Sequence, residues 1–200
     1  MQKTKRNVEA EAAGGVLIPK DTCLAVGVDS VSHFINKVPE GDHKGRKYDK
    51  YKLRLIVLEP GEFNGKVVSI SLSARTERRT DGAGNVMVDN YGSSKTYAEF
   101  LKALDPSITD DELPMPESDD EAKQWGQTWV GRELNVLFGT YKFKTEDGKE
   151  VTTNTFKEGY PMNEDQLAQL APAIAVWKAK LAAKKGGGAA DDFDPNDLVD

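Results

Sequence analysis

Aromatic and basic side chains are interleaved in two stretches of this chain. Tyr48, Lys50, Tyr51, Lys52 and Arg54 fall within seven residues, and Tyr141, Lys142, Phe143 and Lys144 follow one another without a gap. Between them Arg75, Arg78, Arg79 and Tyr91 flank a glycine-containing segment. Rings can stack on the π-face that every nucleobase has, at about 1–3 kcal/mol per base, while ammonium and guanidinium groups track phosphates. These residues are the candidates for contact with a polyanion. Each ring taken alone reads at least as well as a core residue, Tyr51 above all because it shares the face of Leu53, and each charge alone reads better as a solvated one; the clustering carries the reading.

The charge distribution agrees. The chain has 27 Lys and Arg against 33 Asp and Glu, a net of −6. Five acids lie in the last fifteen residues, 186–200, and eight more lie between Asp105 and Glu121, with no basic residue in either run. Setting those thirteen aside leaves 20 acids against 27 bases, a net of +7. An acidic chain thus contains a basic body, which suits a polyanionic partner. The terminal run carries Asp191, Asp192, Asp194, Asp197 and Asp200 together with Phe193, Leu198 and Val199, behind a hinge of Gly186 to Gly188. It reads as a disordered tail, either solubilising or anchoring its apolar residues in a partner protein.

Other chemistry finds little support. His33, His43 and the single Cys23 offer no zinc spacing, DGAGN lacks the context of a dinucleotide loop, and GxxxxGK[ST] is absent. No catalytic pairing stands out, and neither an enzyme, a cofactor nor a metal is expected. Cys23 reads as a small core residue in a reducing cytosol. No apolar run approaches a membrane span and no signal peptide is evident, so a soluble cytoplasmic protein is expected.

The elements that must position these residues are mostly strands. Residues 1–15 read as a loose arm and 16–185 as one domain. Leu24 to Val38 suggests a first strand interrupted near Gly27 or Asp29. In the next run Tyr51, Leu53, Leu55 and Val57 share one face, with Lys50, Lys52 and Arg54 on the other. Val68, Ile70, Leu72 and Ala74 repeat the pattern beside serines. Residues 75–92 read as a long hairpin or a flexible loop around DGAGN. A helix follows, with Tyr97, Phe100, Leu101 and Leu104 on one face. The acidic run 105–121 reads as an exposed excursion outside the fold. Two further strands meet at Asp147-Gly148. A last helix, capped by Asn163 and Gln166, carries Leu167, Leu170, Ile174, Trp177 and Leu181, and Pro172 should kink or split it. Trp125, Trp129 and Trp177 read as packing or interface residues.

Five or more strands with a helix before the last pair predict a mainly β chain, an OB-fold-like antiparallel barrel with one or two accessory helices. GRKYDKYKLRLIVLE…GKVVSISL and WVGRELNVLFGTYKFKTEDGKEV, within a span of roughly 16–161, resemble phage single-stranded DNA-binding proteins of the OB-fold type. The resemblance implies sequence-independent binding of single-stranded DNA in replication or recombination. It also implies that the acidic tail recruits replication or recombination proteins, although here Phe193 is internal and the chain reads Leu-Val-Asp at its end. Self-association is compatible with it. A virion structural or assembly protein and a strand-annealing recombination protein are the alternatives.

Overall fold

The computed structural model describes residues 15–91, 94–109, 113–144 and 148–186. The tail candidates Asp191 to Asp200, and all of the expected arm but Gly15, lie outside them. The chain is mainly β. Strands β1 (Thr22–Lys37), β2 (Lys47–Val57), β3 (Val67–Ala74), β6 (Glu133–Lys144) and β7 (Glu150–Tyr160) form one antiparallel sheet in the order β3-β2-β1-β6-β7. A separate hairpin, β4 (Thr76–Thr80) with β5 (Val86–Asn90), follows β3 directly. The described residues include three helices: α1 (Lys95–Leu104), α2 (Asp119–Gln127) and α3 (Glu164–Gly186). That is one more than expected.

A helical segment between the third and the last two sheet strands follows the OB-like expectation, with two helices, α1 and α2, where one was expected. The edge strands β3 and β7 approach each other but are not hydrogen-bonded partners. The first described residues lie in that seam. Val16 N–H donates to Val67 O of β3 at 2.8 Å. On the other side, Asn154 of β7 accepts from Ile18 N–H at 2.9 Å and donates through Nδ2 to Val16 O at 2.7 Å. Ile18 is fully buried. Residues 16–18 therefore belong to the fold and bridge two strand edges that lack each other as partners.

The period-two pattern of β2 and β3 buries Tyr51, Leu53, Leu55, Val57, Val68, Ile70, Leu72 and Ala74 in the main core. β1 is one long strand with a bulge between Val28 and Ser30, where an interruption was expected. The inward face of α1 supplies Tyr97, Phe100 and Leu101, and Trp129 packs edge-on to Phe100 and tilted on Tyr51. Cys23 is exposed, contrary to expectation, because its neighbours Thr22 and Leu24 are also only half-buried at this end of β1.

The acidic run is no mere excursion. Asp119, Asp120 and Glu121 form the first turn of α2, where carboxylates complement the helix dipole. Ser118 Oγ accepts from Glu121 N–H at 3.1 Å and Glu121 accepts from Glu117 N–H at 2.9 Å, a reciprocal cap. Ile108 and Leu113, from the same run, pack on the main core.

α3 starts on the expected cap, with Asn163 Oδ1 accepting from Gln166 N–H at 2.8 Å. It is not split at Pro172, and it continues through Gly186, the first residue of the expected hinge. Leu170, Ile174, Trp177 and Leu181 pack on Ala25 and Leu58, which holds the turns on both sides of the proline against one surface. The indole of Trp177 lies directly over Gly27, where a Cβ would stand 2.4 Å from the ring. Among the described residues no helix is long and apolar enough to cross a membrane.

Candidate nucleic-acid interface

Register determines which side chains share the outer face of β1, β2 and β3. Phe34 lies opposite Lys50 and Lys50 opposite Ser73; Ser32, Lys52 and Ser71 form the next row, and Ser30, Arg54 and Ser69 the row after that. Asn36 pairs with Tyr48 above them, and Arg75 continues the outward parity of β3. Residues directly opposite in an antiparallel pair point the same way. The face thus carries five serines, two lysines, two arginines, Asn36, Phe34 and Tyr48, and no carboxylate. Arg54 is exposed, and Lys50, Lys52 and Tyr48 are half-buried. Phe34 was missed by sequence reasoning; its alternation within VSHFINK becomes informative only once the register with Lys50 is known.

One border of this face is α3. Ile56, two residues beyond Arg54 on β2, packs in the α3 cluster, and α3 is joined to the β1 bulge through Asp29. Asp29 meets Lys184 Nζ at 3.2 Å and the Trp177 indole N–H at 3.3 Å. The other border is the loop between β1 and β2, locked onto the β4–β5 hairpin. Arg46 donates from Nε to Glu77 at 2.9 Å and pairs through Nη2 with Asp89. Its guanidinium also lies 3.9 Å from the centre of the Tyr91 ring. The Tyr91 hydroxyl donates to Lys47 O at 2.8 Å, and His43 meets the Tyr91 ring edge-on. Partial burial pushes the Tyr91 phenol above its ordinary value, against the pull of Arg75 and Arg46. Tyr91 therefore walls the face and has one ring side already covered by Arg46.

Three sequence candidates are corrected. Tyr51 is 0 % exposed, in ring contact with Tyr97, Trp129 and His33, so it cannot stack on a base. It shares the apolar parity of Leu53; burial raises its phenol far above the ordinary range. Arg78 points inward to Asp49, a buried carboxylate that also accepts from Thr76 Oγ1 at 2.8 Å and lies 2.7 Å from His33 Nε2. Arg79 is exposed but bound to Glu77 through two nitrogens at 2.6 and 2.9 Å. Arg78 is committed to a buried carboxylate and Arg79 is paired on the β4–β5 hairpin, so neither belongs to the outer face of β1 to β3.

Tyr141, Lys142, Phe143 and Lys144 lie elsewhere, on the part of β6 that runs past the start of β1. β1 pairs with β6 only as far as Thr22 and Phe138, so residues 139–144 pair with β7 alone. Tyr141 and Phe143 share one face, their rings nearly parallel, and Lys142 and Lys144 share the other. Lys142 pairs with Glu150 at 3.1 Å. Gly148 has the positive φ expected of a tight turn, while residues 145–147 of that turn lie outside the described set. Among the described residues no group of His, Cys, Asp and Glu could hold a metal ion. No family model matches the chain, and no curated protein matches it.

Proposed function

We propose that this protein binds single-stranded nucleic acid, DNA in the first instance, without strong sequence preference. The observation that carries this reading is the outer face of β1 to β3: twelve outward residues with four cations and two rings, from which the abundant carboxylates of the chain are absent. Serine hydroxyls and cations suit phosphate oxygens, and Phe34 and Tyr48 suit unstacked bases. Tyr141 and Phe143 add rings on the projecting strands. A setting in replication or recombination, with the acidic segment 186–200 recruiting partner proteins, is supported by the family resemblance alone.

The test is a fluorescence-anisotropy titration with labelled oligo-dT and a duplex of equal length at two salt concentrations. Affinity for the single strand should exceed that for the duplex and fall with salt. Replacing Lys50, Lys52 and Arg54 together with Ser should weaken binding and flatten the log–log salt slope by about 2, at roughly 0.7 per lost phosphate contact. Duplex preference, or binding indifferent to salt, would overturn the reading.

A further inference from the structure

The aromatic pair on β6, Tyr141 exposed and Phe143 half-buried, has a geometry that single-ring stacking does not need. Tyr141 is 59 % exposed and its ring centroid lies 6.3 Å from that of Phe143, with 15° between the ring planes. Most aromatic contacts of the core are tilted or edge-on, as ring quadrupoles favour. Here two rings stand almost parallel, two residues apart on one strand. Same-side neighbours on a strand repeat at roughly 6.8 Å, twice the rise per residue. Stacked nucleobases repeat at about 3.4 Å, so a planar base between two parallel rings needs about 6.8 Å from ring to ring. The Tyr141 and Phe143 centroids stand close to that separation, at 6.3 Å.

We infer that Tyr141 and Phe143 form a slot that takes one unstacked nucleobase between them. The inference rests on the proposed single-strand binding and makes the β6–β7 projection a second subsite, separate from the outer face of β1 to β3. Across the ladder Thr153 lies opposite Tyr141 and Val151 opposite Phe143, so the flank of the slot is a small polar and a small apolar residue. Lys142 and Lys144 lie on the reverse of the strand and leave the slot free of their bulk. An apolar peptide side chain gains burial against two rings at any angle, whereas a flat heteroaromatic ring needs them parallel.

The experiment uses the full chain and an oligo-dT carrying a single dA, followed by NMR. The slot predicts that H2 and H8 of the one adenine show cross-relaxation to ring protons of both Tyr141 and Phe143, while the direct ring-to-ring effects weaken. Tyr141→Leu and Phe143→Leu should each lower affinity about tenfold, within the range for loss of a stacked ring, and Tyr141→Phe should stay within twofold. An adenine that touches only one ring, or rings undisturbed while anisotropy still reports binding, would overturn the slot and leave the proposed function standing. No binding by the unaltered protein would overturn both. Ring shifts produced by an apolar peptide and not by the oligonucleotide would assign the pair to a protein partner instead.

Discussion

Arg78 grips Asp49 through two nitrogens, Nη1 meeting both carboxylate oxygens at 3.1 and 2.9 Å and Nη2 meeting one at 2.8 Å. Asp49 lies on the core-facing side of β2, 1 % exposed, and Arg78 belongs to the β4–β5 hairpin. The pair straps the hairpin to the sheet, and the hairpin in turn holds Arg46 and the loop beside the candidate interface.

Removing the carboxylate should therefore cost far more than a surface ion pair would. Asp49→Ala leaves a largely buried guanidinium with only the exposed Asp119 carboxylate at 3.7 Å and should destabilise by about 3–5 kcal/mol in urea unfolding. The double replacement Asp49→Leu with Arg78→Met should recover most of that loss. A single variant as stable as the parent would show that the strap is not under load.

Asn154 should matter through its side-chain amide alone. It satisfies two backbone groups of residues 16–18 in the seam, so Asn154→Ala should cost about 1–3 kcal/mol and speed amide exchange at Ile18 and Val16. Unchanged exchange at those two amides would show that other contacts hold the segment.

At Gly27 the requirement is close approach. A methyl group there would meet the Trp177 ring at 2.4 to 2.7 Å, so Gly27→Ala should shift α3 outward and cost roughly 1–3 kcal/mol. Trp177→Leu in the same background should relieve part of the clash. Trp177 fluorescence identical in parent and Gly27→Ala would count against this packing.

The hairpin should loosen in acid. Hydrogen bonds from the Asn85 side chain and from the Asn85, Ala83 and Gly84 backbone hold the Asp81 carboxyl below its ordinary value. Partial burial acts the other way at Glu77, but hydrogen bonds from Arg79, the Lys47 N–H and Arg46 outweigh it, and that carboxyl is lowered too. Both values are lower folded than unfolded. Their stabilisation is thus complete above the unfolded values of about 4 and is lost as pH falls through the lowered folded values. Carboxyl 13C shifts followed from pH 6 to 2 should titrate below the ordinary value of each residue type, with hairpin amide protection falling in the same window.

The alternation in β2 and β3 was legible because each strand has one buried and one wet face, and a period of two leaves no other arrangement for Leu53, Leu55, Ile70 and Leu72. The capping of α3 by Asn163 and Gln166 was legible for a similarly local reason. Tyr51 and Tyr48 look alike as residues, and only parity against Leu53 separates the core ring from the outward one. Arg78 could not be told from Arg79, since what distinguishes them is a carboxylate twenty-nine positions away on another strand. Cation locations followed from sequence; their pairing did not. The seam residues Val16 to Ile18 carry no periodicity at all, because they are held by one side chain and one strand edge rather than by a ladder.

That seam also sets an order of events during synthesis. The two bonds from Asn154 span 136 and 138 positions of the chain, whereas β1, β2 and β3 are consecutive strands and can pair as soon as they are made. Contacts this distant form late and slow the folding of a β protein. From the completion of β3 until β7 leaves the ribosome, residues 16–18 have only one of their two neighbours, and Ile18 has no finished core to enter. The first residues of the fold to be translated are then among the last to be secured.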